Sequence, residues 1–509
     1  MNVRAWGIAG VLAVVTGLVT GPVTGPAGGP AAGGSRGGGA SGTKVTAAAV
    51  DSYARRVLDA SGVPGMSVVV THGGRVVRAA GYGRDADGKA VTARTPMRVA
   101  SLSKSFTAAA VMTLVRAGKI ALDRPVAAQL PGFATTGPRG ARITVRHLLN
   151  QTSGLTDGSV GIDVAADGIG SPRAEVARLR TARLATEPGT HWAYCNVNYE
   201  VLARLVEVAS GRPFGAYLRE HVFAPLGMAG SDIGGRDRHP ADGHNALFGL
   251  WVPRAQPPGL LDDGGAGGVV TDARDMGRWL IAQNGHARRT LPPSMLRAMH
   301  TPGPGTGEHR YAMGWQAERD GTGRTRLVHS GNLFTYYAAQ AVVPSTGYGV
   351  AVMVNGAGLQ DASWAALEGL LALAEGRTPP APGHAETIAQ LGLAALTLAA
   401  LALGVLGVLR AGWWARRARR RWRGAPVWRA VWRAVPRLVP ALVPVAVFAA
   451  YPELLSAISA GRQVTWWQLT YFAAPLTVAL AAAALAGLGT FGARLWALAR
   501  SGKHLGSRT

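Results

Sequence analysis

The sequence predicts an α+β fold. An antiparallel sheet formed from both ends of one domain is flanked by helices, with a mainly helical region inserted, and a three-helix transmembrane region follows. Three observations predict this. β-rich segments lie at residues 66–80 and again at 311–355, helical patterns fill the stretch between, and 23 uncharged apolar residues run from Thr387 to Leu409.

The 509 residues carry 53 Lys+Arg against 28 Asp+Glu, a formal net charge of +25. Five of the basic residues are Lys, and much of the excess lies after residue 409. A basic tail of this kind serves either nucleic acid or the inner face of a membrane. Arg4 followed by the apolar run Ala5–Val15 reads as a secretory signal, expected over residues 1–30. An uncleaved anchor is the alternative. Residues 31–45 read as a Gly/Pro-rich linker. Cys195 is the single cysteine, which excludes an internal disulfide and leaves stability to the core.

The folded domain is expected over 46–376. A helix runs from Thr46 to about Ala60, through Val50, Tyr53, Ala54, Val57 and Leu58. Met66–Thr71 and Arg75–Ala80, joined by His72-Gly73-Gly74, read as a β-hairpin. The run after Ser101 reads as a helix with Phe106, Ala110, Leu114 and Val115 on one stripe, stopped near Gly118. Ile143–Leu155 reads as a short helix ending in a turn. Asn198–Ala209 and Asp272–Ala282 read as amphipathic helices. Tyr311–Ala317, Arg324–Val328, Thr335–Val343 and Gly349–Asn355 read as consecutive antiparallel strands, and Asp361–Ala374 as a closing helix.

A Pro-rich linker (377–386) leads to the transmembrane region (387–493), with spans at about 387–409, 438–458 and 469–492. Residues 410–437 hold ten Arg and no acid, the 459–467 loop holds Arg462, and the tail 494–509 is basic. By the positive-inside rule the 46–376 domain lies outside the cytosol, with the Arg-rich loop and C-terminus inside. Trp413, Trp414, Trp422, Trp428 and Trp432 among the arginines suit lipid headgroups, so the expected partner of this charge is the bilayer and not nucleic acid. Glu453 alone near a span argues against a transport path.

Chemistry concentrates in three places. On a helix, Ser101 and Lys104 are one turn apart on one face, placing an amine beside a hydroxyl near the positive end of the dipole. A partly desolvated neutral lysine can take the serine's proton. Tyr194-Cys195-Asn196 precedes a helix, and His329-Ser330-Gly331 ends a predicted strand. Metal-ligand spacing and a phosphate loop are both missing from the sequence, so no cofactor is expected.

In this order the three clusters resemble the penicillin-recognising serine hydrolases: cephalosporinase-type serine β-lactamases, D-Ala-D-Ala carboxypeptidases and related esterases. That family carries S-x-x-K, Y-x-N and K/H-x-G. Ile143–Leu155, Trp192–Met228 and Gly267–Met276 are also similar to the family, and the resemblance spans about 46–375. It implies that Ser101 attacks a carbonyl and becomes acylated, while Lys104 and Tyr194 share the proton work, either one being the base. Asn196 would bond the substrate amide or Lys104. Backbone N–H groups of Ser101 and Asn332 would form the oxyanion hole, and His329 and Gly331 the opposite wall. His329, where a Lys would give a fixed positive charge, turns the expectation towards peptidase or esterase activity and away from a dedicated β-lactamase. Cys195 is read as a small buried filler.

The expected protein is an exported, membrane-anchored serine hydrolase acting through an acyl-enzyme on D-alanyl peptides, esters or β-lactams, with peptidoglycan as a further partner. The alternative is a penicillin- or cell-wall-binding receptor ectodomain that retains the cleft without turnover.

Overall fold

The computed structural model describes residues 45–160, 171–235, 237–257, 264–424, 426–459 and 462–500. The expected signal segment (1–30), nearly all of the 31–45 linker and the end of the basic tail lie outside these residues. The chain divides into two compact units. One comprises Met1–Asn245, Trp251–Ala385 and Ser459–Gln463, the other Ala246–Leu250, Glu386–Ile458 and Val464–Thr509.

In the first unit, helix α1 (Ala47–Ser61) starts where Thr46 accepts a hydrogen bond from the Ala49 amide and stops at Gly62, whose φ of 68° suits a residue without Cβ. Strands β1 (Gly65–His72) and β2 (Arg75–Gly83) form the expected hairpin. Among the described residues, β3 (Gln316–Arg319), β4 (Thr325–Leu333), β5 (Tyr336–Val343) and β6 (Tyr348–Val354) complete a six-stranded sheet in the order β2-β1-β6-β5-β4-β3. The two ends of the domain meet where β1 pairs antiparallel with β6, Met66 opposite Val354 and Val70 opposite Val350.

β1 is buried on both faces: Val68 and Val70 on one, Val69 and Thr71 on the other, are all 0% exposed. Its continuous apolar sequence therefore matches a central strand covered by helices on both sides. Helix α2 (Ser103–Arg116) is buried all round from Ser103 to Leu114, not along a single stripe. A helix at the centre of a core has no solvent face, so its hydroxyls must find partners within the protein. Ser105 donates to Leu102 O (2.8 Å) and Thr113 to Ala110 O (2.7 Å). Phe106 anchors it between Trp279 and Phe223, with ring centroids 4.2 and 5.6 Å away. Helix α3 (Val197–Ser210) carries the Tyr194 cluster at its start, α4 (Ala273–Ile281) covers the Val69 face of the sheet through Gly277, and α5 (Ala362–Ala374) closes the domain under an Asp361 cap.

Two strand boundaries differ from expectation. The strand expected at Tyr311–Ala317 begins at Gln316, because Gly314 turns the backbone at φ 79° and Tyr311 is left with an isolated bridge. The strand expected to end at Val328 continues through His329-Ser330-Gly331 to Leu333, since β5 pairs with it along its length.

The second unit contains three helical runs long and apolar enough to cross a membrane: Ala385–Leu409, Val431–Ala449 and Ala474–Arg500. The middle run is displaced from the expected 438–458. It begins at Val431, passes a 3-10 turn at Val439–Leu442 and ends at Ala449, after which Tyr451–Ile458 forms a separate helix. The break between the run and the next helix falls just before Pro452, which lacks the N–H that would carry one helix straight through. The last run starts later than expected, after a short helix at Trp466–Phe472 capped by Thr465.

Candidate active site

Ser101 is the middle residue of one 3-10 turn, Ala100–Leu102, that feeds directly into α2. Ala100 holds a left-handed φ of 49°, a conformation that costs a residue with a Cβ about 1–3 kcal/mol and marks a tightly determined turn. β4 passes close by at Gly331. A Cβ there would lie 2.4 Å from Val99 O and 3.1 Å from the Ala100 Cβ, so the absence of a side chain is what lets the strand approach the Ser101 turn.

Lys104 lies one turn on, fully buried, and its Nζ has three oxygen neighbours: Ser101 Oγ at 2.8 Å, Asn196 Oδ1 at 2.9 Å and Ala266 O at 2.8 Å. Tyr194 donates from its hydroxyl to Ser101 Oγ at 2.8 Å. Burial, joined by the charge of Arg462, holds the Lys104 amine well below the usual lysine range. Burial also pushes the Tyr194 phenol up to about 12, against the opposing hydrogen bond to Ser101. A neutral amine has two N–H donors and one lone pair. Asn196 and Ala266 accept the two donors, which leaves the lone pair on the side of the Ser101 hydroxyl.

His329 is buried on β4, 6.2 Å from the Tyr194 ring between centroids. Its Nδ1–H donates to Ser330 O at 2.6 Å, so Nε2 accepts from the Tyr311 hydroxyl at 3.0 Å. Burial and the nearby Lys104 lower its pKa to about 3, which leaves the imidazole neutral near pH 7. Asn332 faces Tyr337 of β5 and is exposed, its side chain 3.5 Å from Asp361 Oδ2. Cys195 is 0% exposed with its thiol pushed up to about 12 by burial, an inert filler beside the site. Among the described residues no cluster of His, Cys, Asp and Glu is arranged to hold a metal.

The structure thus brings Ser101, Lys104, Tyr194 and Asn196 into direct contact and sets His329 and Gly331 beside them. Several supports were not read from the sequence. Buried Glu200 accepts from the Gly265 and Ala266 amides at 3.0 Å each, fixing the loop whose carbonyl meets Lys104. Thr107 donates to Gly265 O at 2.7 Å, and Ser103 accepts from the Val269 amide at 3.0 Å. Gln151 accepts from the Cys195 amide at 3.1 Å, which steadies the Tyr194 cluster. Glu200 stands one helical turn after Asn196, and that spacing was its only sequence signal.

The six-stranded sheet with its covering helices is a β-lactamase-type fold. A family model described as Beta-lactamase matches residues 50–373, and the chain belongs to that family. It is 25% identical over 320 residues to Protein flp of Staphylococcus aureus strain MW2, covering 60% of this chain and 62% of that protein. It is 34% identical over 197 residues to a D-aminopeptidase of Brucella anthropi, covering 38% and 37%. The chain therefore spans less than two thirds of the curated relatives it matches. Among solved structures, an octameric penicillin-binding protein homologue from Pyrococcus abyssi superposes with a TM-score of 0.56 at 27% identity, covering 65% of this chain and 77% of that one.

Proposed function

We propose that this chain is a membrane-anchored serine hydrolase that forms an acyl-enzyme on Ser101 and acts on D-amino-acid amides, D-alanyl peptides or esters. The observation that carries the reading is the contact of Ser101 Oγ with both Lys104 Nζ and Tyr194 OH at 2.8 Å. Ser101 Oγ attacks the substrate carbonyl as its proton passes to the neutral Lys104 amine, and the oxyanion settles on the Ser101 and Asn332 backbone N–H groups. As the carbonyl–nitrogen or carbonyl–oxygen bond breaks, Tyr194, protonated at neutral pH, relays the proton from Lys104 to the leaving group. Water then releases the acyl group by the reverse proton path. This assigns the base to Lys104, a choice favoured by an amine shifted down and a phenol shifted up.

The neutral His329 supplies no fixed charge for a substrate carboxylate, which favours amides and esters over C-terminal carboxylates. The D-aminopeptidase relative points the same way. The apolar helices and the Arg-rich segment 410–437 favour a hydrolase domain on the extracytoplasmic side of the bilayer.

A fluorophosphonate probe should label the wild type and leave Ser101→Ala unlabelled. Turnover of p-nitrophenyl esters and D-alanine amides should vanish in the same variant. Labelling without turnover of any substrate in the panel selects a binding ectodomain instead, and an unlabelled wild type refutes the acyl-enzyme.

A further inference from the structure

Residues Ser459–Gln463, which join the second and third apolar runs in sequence, belong to the hydrolase unit and not to the unit of the helices on either side. Within that unit Arg462 pairs through Nε with Asp157 Oδ2 at 2.5 Å, and its guanidinium lies 5.0 Å from the centre of the Tyr194 ring. Asp157 is 5% exposed and the Arg462 side chain 26%. The family match ends at residue 373, so Arg462 comes from outside the part of the chain that defines the family.

We propose that Arg462 is a positioning residue of the hydrolase site, a fixed cation that seats the ring of Tyr194 and sets the pH above which Ser101 is acylated. The proposal deepens the hydrolase reading and rests on it. A guanidinium over a phenol is held by the ring quadrupole, and the Asp157 pair fixes its position. The ring it holds is the one whose hydroxyl reaches Ser101.

The charge also acts on the amine. Lys104 Nζ lies 4.8 Å from the same ring centre, so the Lys104 amine and the Arg462 guanidinium both lie against the Tyr194 ring. A second positive charge opposes protonation of Lys104 and favours the neutral amine that can accept a proton. The other titratable groups near this pair are Glu200 and Tyr199 of α3, Cys195 before it, Asp157, and Tyr311 with His329 on the far wall. His329 is neutral and Tyr311 un-ionised near pH 7, and burial raises Glu200 to about 7, which leaves Arg462 and Asp157 as the charges the variants change.

The test is the rate of fluorophosphonate acylation against pH, with the full-length chain in lipid nanodiscs. In the wild type the rate rises with pH as Lys104 loses its proton. Arg462→Gln should move that midpoint up by about one pH unit. Labelling then falls about tenfold on the acid side and recovers at high pH. Arg462→Lys, which keeps the charge, should bring the midpoint most of the way back to the wild-type value. Asp157→Asn should move the midpoint the opposite way, down, because it leaves Arg462 uncompensated. Opposite shifts from two partners in contact are not produced by a merely structural role. Should Arg462→Gln fail to fold, the sign of the Asp157→Asn shift decides. A wild type that labels while the variants keep its midpoint, however slow they become, overturns the proposal alone. An unlabelled wild type overturns the hydrolase reading and this proposal with it.

Discussion

Gly331→Ala tests whether the approach of β4 to the Ser101 turn sets the reaction geometry. The new Cβ would lie 2.4 Å from Val99 O, 3.0 Å from Leu102 Cδ1 and 3.1 Å from Ala100 Cβ. Backbone is the closest of these, so the strand and the turn must separate by about 0.6 Å before the contact reaches 3.0 Å, the shortest that Cβ atoms ordinarily make. Gly331 has no left-handed φ, which makes the effect purely steric. Overpacking of this size costs about 1–3 kcal/mol of stability. Displacing the nucleophile from the Asn332 amide by a good fraction of an ångström should slow acylation about 10–100-fold. The assay is the second-order rate of fluorophosphonate labelling, with thermal melting on the same sample. A folded Gly331→Ala that acylates within twofold of wild type would refute the idea that this approach matters.

Other outcomes follow from the same contacts. Tyr194→Phe removes the donor to Ser101 and should keep the fold while slowing turnover about 10²–10⁴-fold, measured by steady-state ester hydrolysis. Asn196→Ala takes away one of the acceptors that orient Lys104 and should reduce labelling by about 1–3 kcal/mol in rate, with little change in melting temperature. Because His329 titrates near 3, the pH profile of kcat/KM between pH 5 and 8 should carry no step near 6.5 that His329→Gln abolishes; finding one would contradict a neutral imidazole. Burial raises Glu200 from 4.5 to about 7, so the folded state holds that proton more tightly than the unfolded chain does. Its stabilisation is full below pH 4.5 and lost as pH rises through about 7, on the order of 3 kcal/mol. Glu200→Gln cannot ionise, so melting curves recorded from pH 5 to 8 should show wild type losing stability relative to the variant; parallel trends would count against it.

What the sequence could disclose depended on how local each signal was. The Ser101–Lys104 pair sits within one helical turn, and α1, α3 and α4 announce themselves by period, cap and stop. The extent of β4 was missed because the residues that extend it are polar and small, and pairing with β5 supplies what propensity does not. The all-round burial of α2 was hidden for a related reason: Ser103, Ser105 and Thr107 look like a polar face until their partners at Val269, Leu102 and Gly265 are in place. Glu200 left a trace, one turn after Asn196. Arg462 left none, being 361 positions from Ser101 in a segment whose composition speaks only of a loop between apolar runs. Pro452 accounts for the early end of the middle run, where the N–H that would continue the helix is missing.

The pairing of β1 with β6 also dictates when this domain becomes a domain. Roughly 275 residues separate the two strands, and at 5–20 residues per second their synthesis takes roughly 15–55 s. Throughout that interval the first hairpin has an open inner edge of valines and no neighbour to close it. The serine turn packs against β4 at Gly331, so it too reaches its final surroundings only once the C-terminal strands have been made. Closure of the sheet is therefore a late event in the life of each molecule, waiting on its C-terminal strands.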